Sequence, residues 1–197
     1  MNSIDLFKMR RSRYELTNKL AISETELEKL VGEVLLQMPS AFNMHSARVV
    51  ILMGEKHHAL WKITHDALKA IVPADKFEPT EQKINSFDAA YGTILYLEDE
   101  DTIKQMQEKF AAYADNFPVW AQQANGMLQF AVWTALAEAR VGASLQHYNP
   151  LIDEQVKQTF KLPASWKLIA QMPFGQFVGK DADKPYIPLP ERLRVER

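Results

Sequence analysis

Between Asp115 and Glu138 the chain carries no charged residue. A stretch of that length belongs either in a bilayer or in the interior of a folded protein. Gln122, Gln123, Asn125, Gln129 and Pro118 are all costly in lipid. The stretch therefore predicts a buried helix of a soluble protein, opened by Asn116-Phe117-Pro118, since proline is tolerated in the first turn. Such a helix is apolar nearly all round and needs cover on more than one side. A chain of 197 residues suits one domain and would struggle to cover it alone. A homodimer packed around this helix is the expected remedy.

The rest of the chain supplies partners for that helix. Residues 3–7 open a first helix that ends around the arginine cluster at 10–13. Ser23 and Glu26 form a capping box ahead of Leu27, Leu30, Val31, Val34 and Leu35, which recur at helical spacing as far as Pro39. Residues 48–53, 92–97 and 166–172 are short apolar runs and predict buried strands. Residues 55–71 predict a helix with Leu60, Ile63, Leu68 and Ile71 inward, 73–83 a proline-bearing loop, 101–113 an amphipathic helix and 151–160 a short one. Gly142 is expected to end the long helix. From Asp181 onward Pro185, Pro188 and Pro190 predict an extended arm over the surface. Helices outweigh strands and alternate with them, so the expected class is α+β or α/β with a small central sheet.

Charge and cysteine usage remove several functions. The net charge is -2, which argues against nucleic acid. With no cysteine there is no thiolate nucleophile, disulfide or Cys-based metal site, as suits a reducing cytoplasm. The first residues do not read as a signal peptide. No G-x-x-x-x-G-K-[ST], G-x-G-x-x-G or G-x-S-x-G motif is present. Glu55-Lys56-His57-His58 offers one Glu-x-x-His step, too little for a carboxylate-bridged di-metal site, and reads as a solvated helix surface.

What remains are basic and polar clusters without a side chain of the usual catalytic kind. Arg10-Arg11-Ser12-Arg13 suits either the last turn of a helix, whose dipole it complements, or a small anion. Arg192 and Arg194, two apart in an extended segment, point to one side and could face the same anion if the arm folds back. Pro39-Ser40-Ala41-Phe42-Asn43 and Gly142 to Pro150 read by themselves as a helix stop and a turn.

Taken in order, these segments resemble the FMN-dependent nitroreductase family, within it the nitroreductase-like (fatty-acid-repression-mutant-like) group. The matching stretches are Arg10-Arg11-Ser12, residues 39–48 and 91–99, Trp133-Thr134-Ala135-Leu136, residues 142–153, Trp166-Lys167-Leu168, residues 171–175 and Arg192-Leu193-Arg194. The stretch 142–153 is the most specific. The resemblance implies one FMN-binding domain over residues 1–197, with 180–197 as a C-terminal arm reaching the partner subunit. It also implies a small mixed sheet flanked by helices, and a homodimer with FMN at the subunit interface. Family members pass electrons from NADH or NADPH to nitroaromatics, quinones or similar small aromatic acceptors by a ping-pong scheme, with the hydride carried at flavin N5.

By the same likeness, Arg10 and Arg11 with Arg192 and Arg194 hold the FMN phosphate, and Ser12 meets the ribityl or phosphate region. Pro39, Ser40, Phe42 and Asn43 line the ring, and backbone N–H groups of Gln146, His147 and Tyr148 face N5. Lys83, expected in a loop before a strand, is the cation beside N1, where reduced flavin gathers negative charge. The chain departs from the family at Tyr14, where a basic residue is common, so either Arg13 substitutes or Lys83 acts alone. Two rival readings remain on the residues: an FMN-binding regulatory or storage module, and a helical interaction protein whose basic clusters are ordinary surface.

Overall fold

A computed structural model describes residues 2–197. The first helix, α1 (Ser3–Met9), is capped by Asn2, and α2 (Glu24–Gln37) by the predicted Ser23–Glu26 box, with both reciprocal bonds made. Three apolar runs form the long strands β2 (Ala47–Met53), β3 (Gly92–Asp99) and β5 (Trp166–Phe177). Two short strands, β1 (Leu16–Thr17) and β4 (Gly142–Ala143), complete a 5-stranded sheet of order β1-β5-β3-β2, with β4 also on β5.

Every pairing among the described residues is antiparallel, where a mixed sheet was expected. The reason lies between β2 and β3. Residues 73–83 are not a loop: a turn at Ala74–Lys76 leads straight into helix α4 (Glu78–Asp88), with Pro79 in its first turn. Helix α3 (Glu55–Lys69) carries the chain away from the sheet and α4 brings it back. Gly92 therefore starts beside Met53, where β2 stopped, and β3 runs antiparallel to it. A single helix would have delivered a parallel strand.

β3 is buried on both sides, hence its unbroken apolar sequence. Ile94 and Tyr96 face α2 and the long helix α6 (Phe117–Glu138), packing with Leu27, Leu128, Val132 and Leu136. Leu95 and Leu97 face α3, α4 and α7 (Asp153–Thr159), packing with Leu60, Trp61, Phe87 and Val156. Helix α5 (Glu100–Lys109) stops short of Tyr113; residues 111–116 continue as a 3-10 turn into α6. Ile71 falls past the end of α3 and is exposed.

Two features of α6 matter for function. Its end is closed by Arg140 in the left-handed region (φ 61), with Val141 N–H returning to the Leu136 carbonyl at 2.8 Å. Gly142 is thus not the helix stop. It lies in β4, where a Cβ would meet Leu16 and Phe177 side chains at 2.8 Å. The second feature is that Val119, Met127 and Phe130 stay exposed on α6, as do Ile4 and Phe7 on α1, with the Phe7 and Phe130 rings 5.1 Å apart. A groove of about 440 Å³ runs between α1 and α6, lined by Leu6, Phe7, Met127 and Phe130. No helix among the described residues is long and apolar enough to cross a membrane.

Candidate active site

The Arg10–Arg13 segment leaves α1 in extended conformation, Arg10 serving as the C-cap with its N–H on the Leu6 carbonyl at 3.0 Å. Its guanidinium lies 4.3 Å above the Trp133 ring of α6. Arg10 Nε is buried and meets no hydrogen-bond partner. Burial, and then the Arg11 charge, push its pKa below the ordinary arginine value. A half-buried cation with no carboxylate beside it among the described residues, and a second cation next door, has the chemistry to hold an anion.

The neighbouring arginines are engaged differently. Arg11 donates from Nη2 to the Ala182 carbonyl. Arg13 grips Asp181 with two bonds, 2.9 and 3.0 Å, while its guanidinium lies 5.1 Å from the centre of the Phe177 ring. The Arg13 N–H reaches the Ala143 carbonyl at 2.9 Å, which also accepts from Trp133 Nε1 at 3.2 Å. Arg13 is therefore bound up with Asp181. Ser12 is exposed between them.

Around the same corner, Phe87 gathers three further groups. Tyr14 stands 6.4 Å from it, Tyr148 6.5 Å, and the Lys83 ammonium 5.9 Å from its ring centre. Lys83 sits on α4 and not in a loop, because the proline at 79 starts a helix. It still reaches the Phe87 ring that Tyr14 and Tyr148 also approach. Burial raises the Tyr148 phenol to about 12, so it stays protonated. Of the three backbone amides expected to face a ligand, two are spent. Gln146 N–H goes to the Gln171 carbonyl at 2.7 Å and Tyr148 N–H to Gln171 Oε1 at 2.8 Å. The His147 N–H has no acceptor among the described residues, and its side chain is exposed on a groove of about 630 Å³.

The loop at 39–45 belongs to another neighbourhood. Phe42, Asn43 and His45 all adopt positive φ, 52, 53 and 51°, without a glycine among them. Ser40 Oγ holds this shape by accepting from His45 N–H at 3.0 Å. The Phe42 ring lies 4.7 Å from Phe110, 5.5 Å from Phe117 and 5.9 Å from Trp120, yet is half exposed. Bulky residues in that region of backbone are strained, and such strain collects where function needs it. Pro39 also lines the α1–α6 groove, but no hydrogen bond or ring contact among the described residues joins this loop to residues 10–13.

Arg192 and Arg194 lie on the exposed arm, and Arg194 pairs with Glu196. Within one chain, hydrogen bonds among the described residues tie the arm to the fold only at its root, at Val178, Asp181 and Ala182.

The Nitroreductase family profile matches residues 7–176. The chain belongs to the nitroreductase family. The nitroreductase CinD of Lactococcus lactis, solved with nicotinic acid, is 41% identical over the whole of both chains, with a TM-score of 0.93. CinD has also been solved with 4-nitrophenol. HBN1 of Saccharomyces cerevisiae is 32% identical over 180 residues, 90% of this chain and 89% of its own. A nitroreductase from Desulfitobacterium hafniense DCB-2, solved with bound FMN, shares the fold at 16% identity over both whole chains, with a TM-score of 0.73.

In this family member two contributors to the corner escaped sequence reading. Trp133, the platform for Arg10, looks like one more apolar residue of α6; Asp181, the partner of Arg13, looks like the first charge of a polar tail. An aromatic in a helix without charges and an acid opposite a basic cluster were the available signals. The histidines also need correction. His57 is fully buried, its ring bonded to Thr93 Oγ1 at 2.9 Å and the Asp88 carbonyl at 3.1 Å, and burial lowers its pKa. It sits in the sheet-facing stripe of α3, not on a solvated surface. With both ring nitrogens engaged, it is a structural crosslink, although His57, His58 and Asp88 lie together.

Proposed function

We propose that this chain is an FMN-dependent NAD(P)H oxidoreductase of nitroreductase type, acting as a homodimer on nitroaromatics, quinones or similar acceptors. The observation that carries the reading is the Arg10 guanidinium, half buried on Trp133 beside Arg11 with a buried Nε that nothing among the described residues satisfies. A phosphate monoester supplies both the charge and the acceptor oxygens such a site lacks. The relative of the same fold that holds FMN supports that choice, and CinD's complex with 4-nitrophenol supports the acceptor class.

Bound FMN would supply the hydride chemistry at N5. This chain's residues would bind and orient it. Arg10 and Arg11, joined by Arg192 and Arg194, take the phosphate, and Ser12 the ribityl region. Lys83 places positive charge near N1, and the His147 N–H is the amide left to face N5. Pro39, Ser40, Phe42 and Asn43 line the ring from a second copy. In support, the loop is separate from residues 10–13 within one chain, and the apolar α1–α6 face between them is bare. Absence of cysteine suits a reducing compartment such as the cytoplasm.

An absorbance spectrum followed by anaerobic titration with NADH and with NADPH tests this. The purified protein is expected to be yellow, to bleach on adding one of the nicotinamides, and to recover on adding 4-nitrophenol or a quinone. A colourless protein that takes up no FMN would sink the cofactor assignment. Flavin that resists both donors would leave a storage or sensing module.

A further inference from the structure

We propose that Asp181 is a positioning residue for the phosphate site: its clasp on Arg13 fixes where the arm leaves the fold, so that Arg192 and Arg194 are delivered to the anion. This rests on the phosphate reading above. The clasp joins residues 168 apart in sequence, by two bonds of 2.9 and 3.0 Å. It is two-pronged, backed by the Phe177 ring, and reinforced next door by Arg11 on the Ala182 carbonyl. Arg13 is itself held by its N–H on Ala143. The arm's origin is thus pinned two and three residues from Arg11 and Arg10, the cations assigned to the phosphate.

Reach makes the pin useful. From Ala182 to Arg192 the chain can extend at most about 35 Å, whereas an arm held only by the Val178 N–H on the Glu15 carbonyl is four residues longer. A tethered group's effective concentration falls with linker length and with loss of a fixed exit direction. The exposed pair needs no large stability of its own.

Asp181 could instead be a bystander that offsets the charge of Arg13. The two roles predict opposite signs. As a bystander, removing its negative charge next to Arg11 should tighten FMN. As a positioning residue, its removal should weaken FMN, and only while Arg192 and Arg194 are present.

The test is a double-mutant cycle read as FMN Kd on full-length, cofactor-stripped protein by quenching of flavin fluorescence. Asp181→Asn is expected to weaken binding about threefold, and to have no weakening effect in the Arg192→Ala/Arg194→Ala background. The exchange Arg13→Asp with Asp181→Arg should recover most of the affinity lost in Arg13→Asp alone. Tighter binding by Asp181→Asn, or equal weakening in both backgrounds, overturns the positioning role while leaving the phosphate site standing. An unchanged Kd in Arg192→Ala/Arg194→Ala would overturn the phosphate assignment of the arm, and this inference with it.

Discussion

Two pairs of arginines at opposite ends of the chain carry the same chemistry and live in different physical states. Arg10 and Arg11 are partly desolvated, one stacked on Trp133 and one fixed to the Ala182 carbonyl. Arg192 and Arg194 stand in solvent, and Arg194 already has a carboxylate neighbour in Glu196. A charge in water has little to gain from a new anion, because hydration and salt already satisfy it. A half-buried charge without a partner has paid its desolvation in advance. The difference teaches that basic composition does not locate a binding site; desolvation without a counter-ion does. The N-terminal pair should therefore dominate affinity, and the C-terminal pair should add to it under favourable conditions.

Arg10→Ala probes this most severely. It removes the preorganised cation and at least two charge-assisted bonds, worth about 3 kcal/mol together, so FMN affinity should drop about 100-fold. A loss under threefold would erase the contrast between the two ends. Arg192→Ala with Arg194→Ala should cost about tenfold near physiological salt, and raising the salt concentration should shrink that cost more than it shrinks the effect of Arg10→Ala. Equal salt sensitivity at both ends would mean both sites are equally wet.

Trp133→Leu keeps the helix apolar and removes the ring under Arg10. The lost cation–π contact, about 1 kcal/mol, should weaken FMN about fivefold with little change in kcat. If flavin binding is untouched, Arg10 is held by something other than that ring.

The smallest effect concerns acid. Bonding to Arg13 holds the Asp181 carboxyl below the usual carboxylate range. A depressed folded pKa gives stability that is present above the unfolded value, about 3.9, and lost as pH falls through the folded one. Asp181→Asn should lower the melting temperature of cofactor-free protein by about 1 °C at pH 7, with the difference shrinking as pH falls below about 3.9. A difference that grows on acidification would refute the ion pair.

The parts legible in the sequence were those with local causes. The runs at 48–53, 92–97 and 166–172 became β2, β3 and β5; β3 is buried on both faces and so is apolar throughout, whereas β2, at the edge of the sheet, is only half-buried and not the buried strand expected. The Ser23–Glu26 box capped α2 because its donors and acceptors lie within one turn. Helix α4 was hidden, since Pro79 reads as a breaker unless one knows it falls in a first turn. With it went the direction of β3. Strands of two residues, β1 and β4, have no periodicity to detect; β1 comes close because Gly175 has no Cβ, which would lie 2.3 Å from the Thr17 carbonyl, and β4 because Gly142 has none to meet Leu16 and Phe177 at 2.8 Å.

For the site, the sequence named Arg10, Arg11, Lys83, His147 and the 39–43 loop through a resemblance spread over the whole chain. It left two roles open for Arg13, whose bonding to Asp181 depends on where β5 ends. It treated Gln146, His147 and Tyr148 alike, whereas the Gln171 side chain and carbonyl claim two of their amides.

By itself, then, the sequence determined which stretches must be buried, where several helices begin and to which family the chain is similar, because hydrophobicity, capping and motif identity are properties of neighbours along the chain. Tertiary structure alone decided which arginine is desolvated, which is neutralised and which amide is left open. Those depend on what distant residues such as Trp133, Gln171 and Asp181 bring to the same few ångströms, and separation in space is not written in separation along the chain.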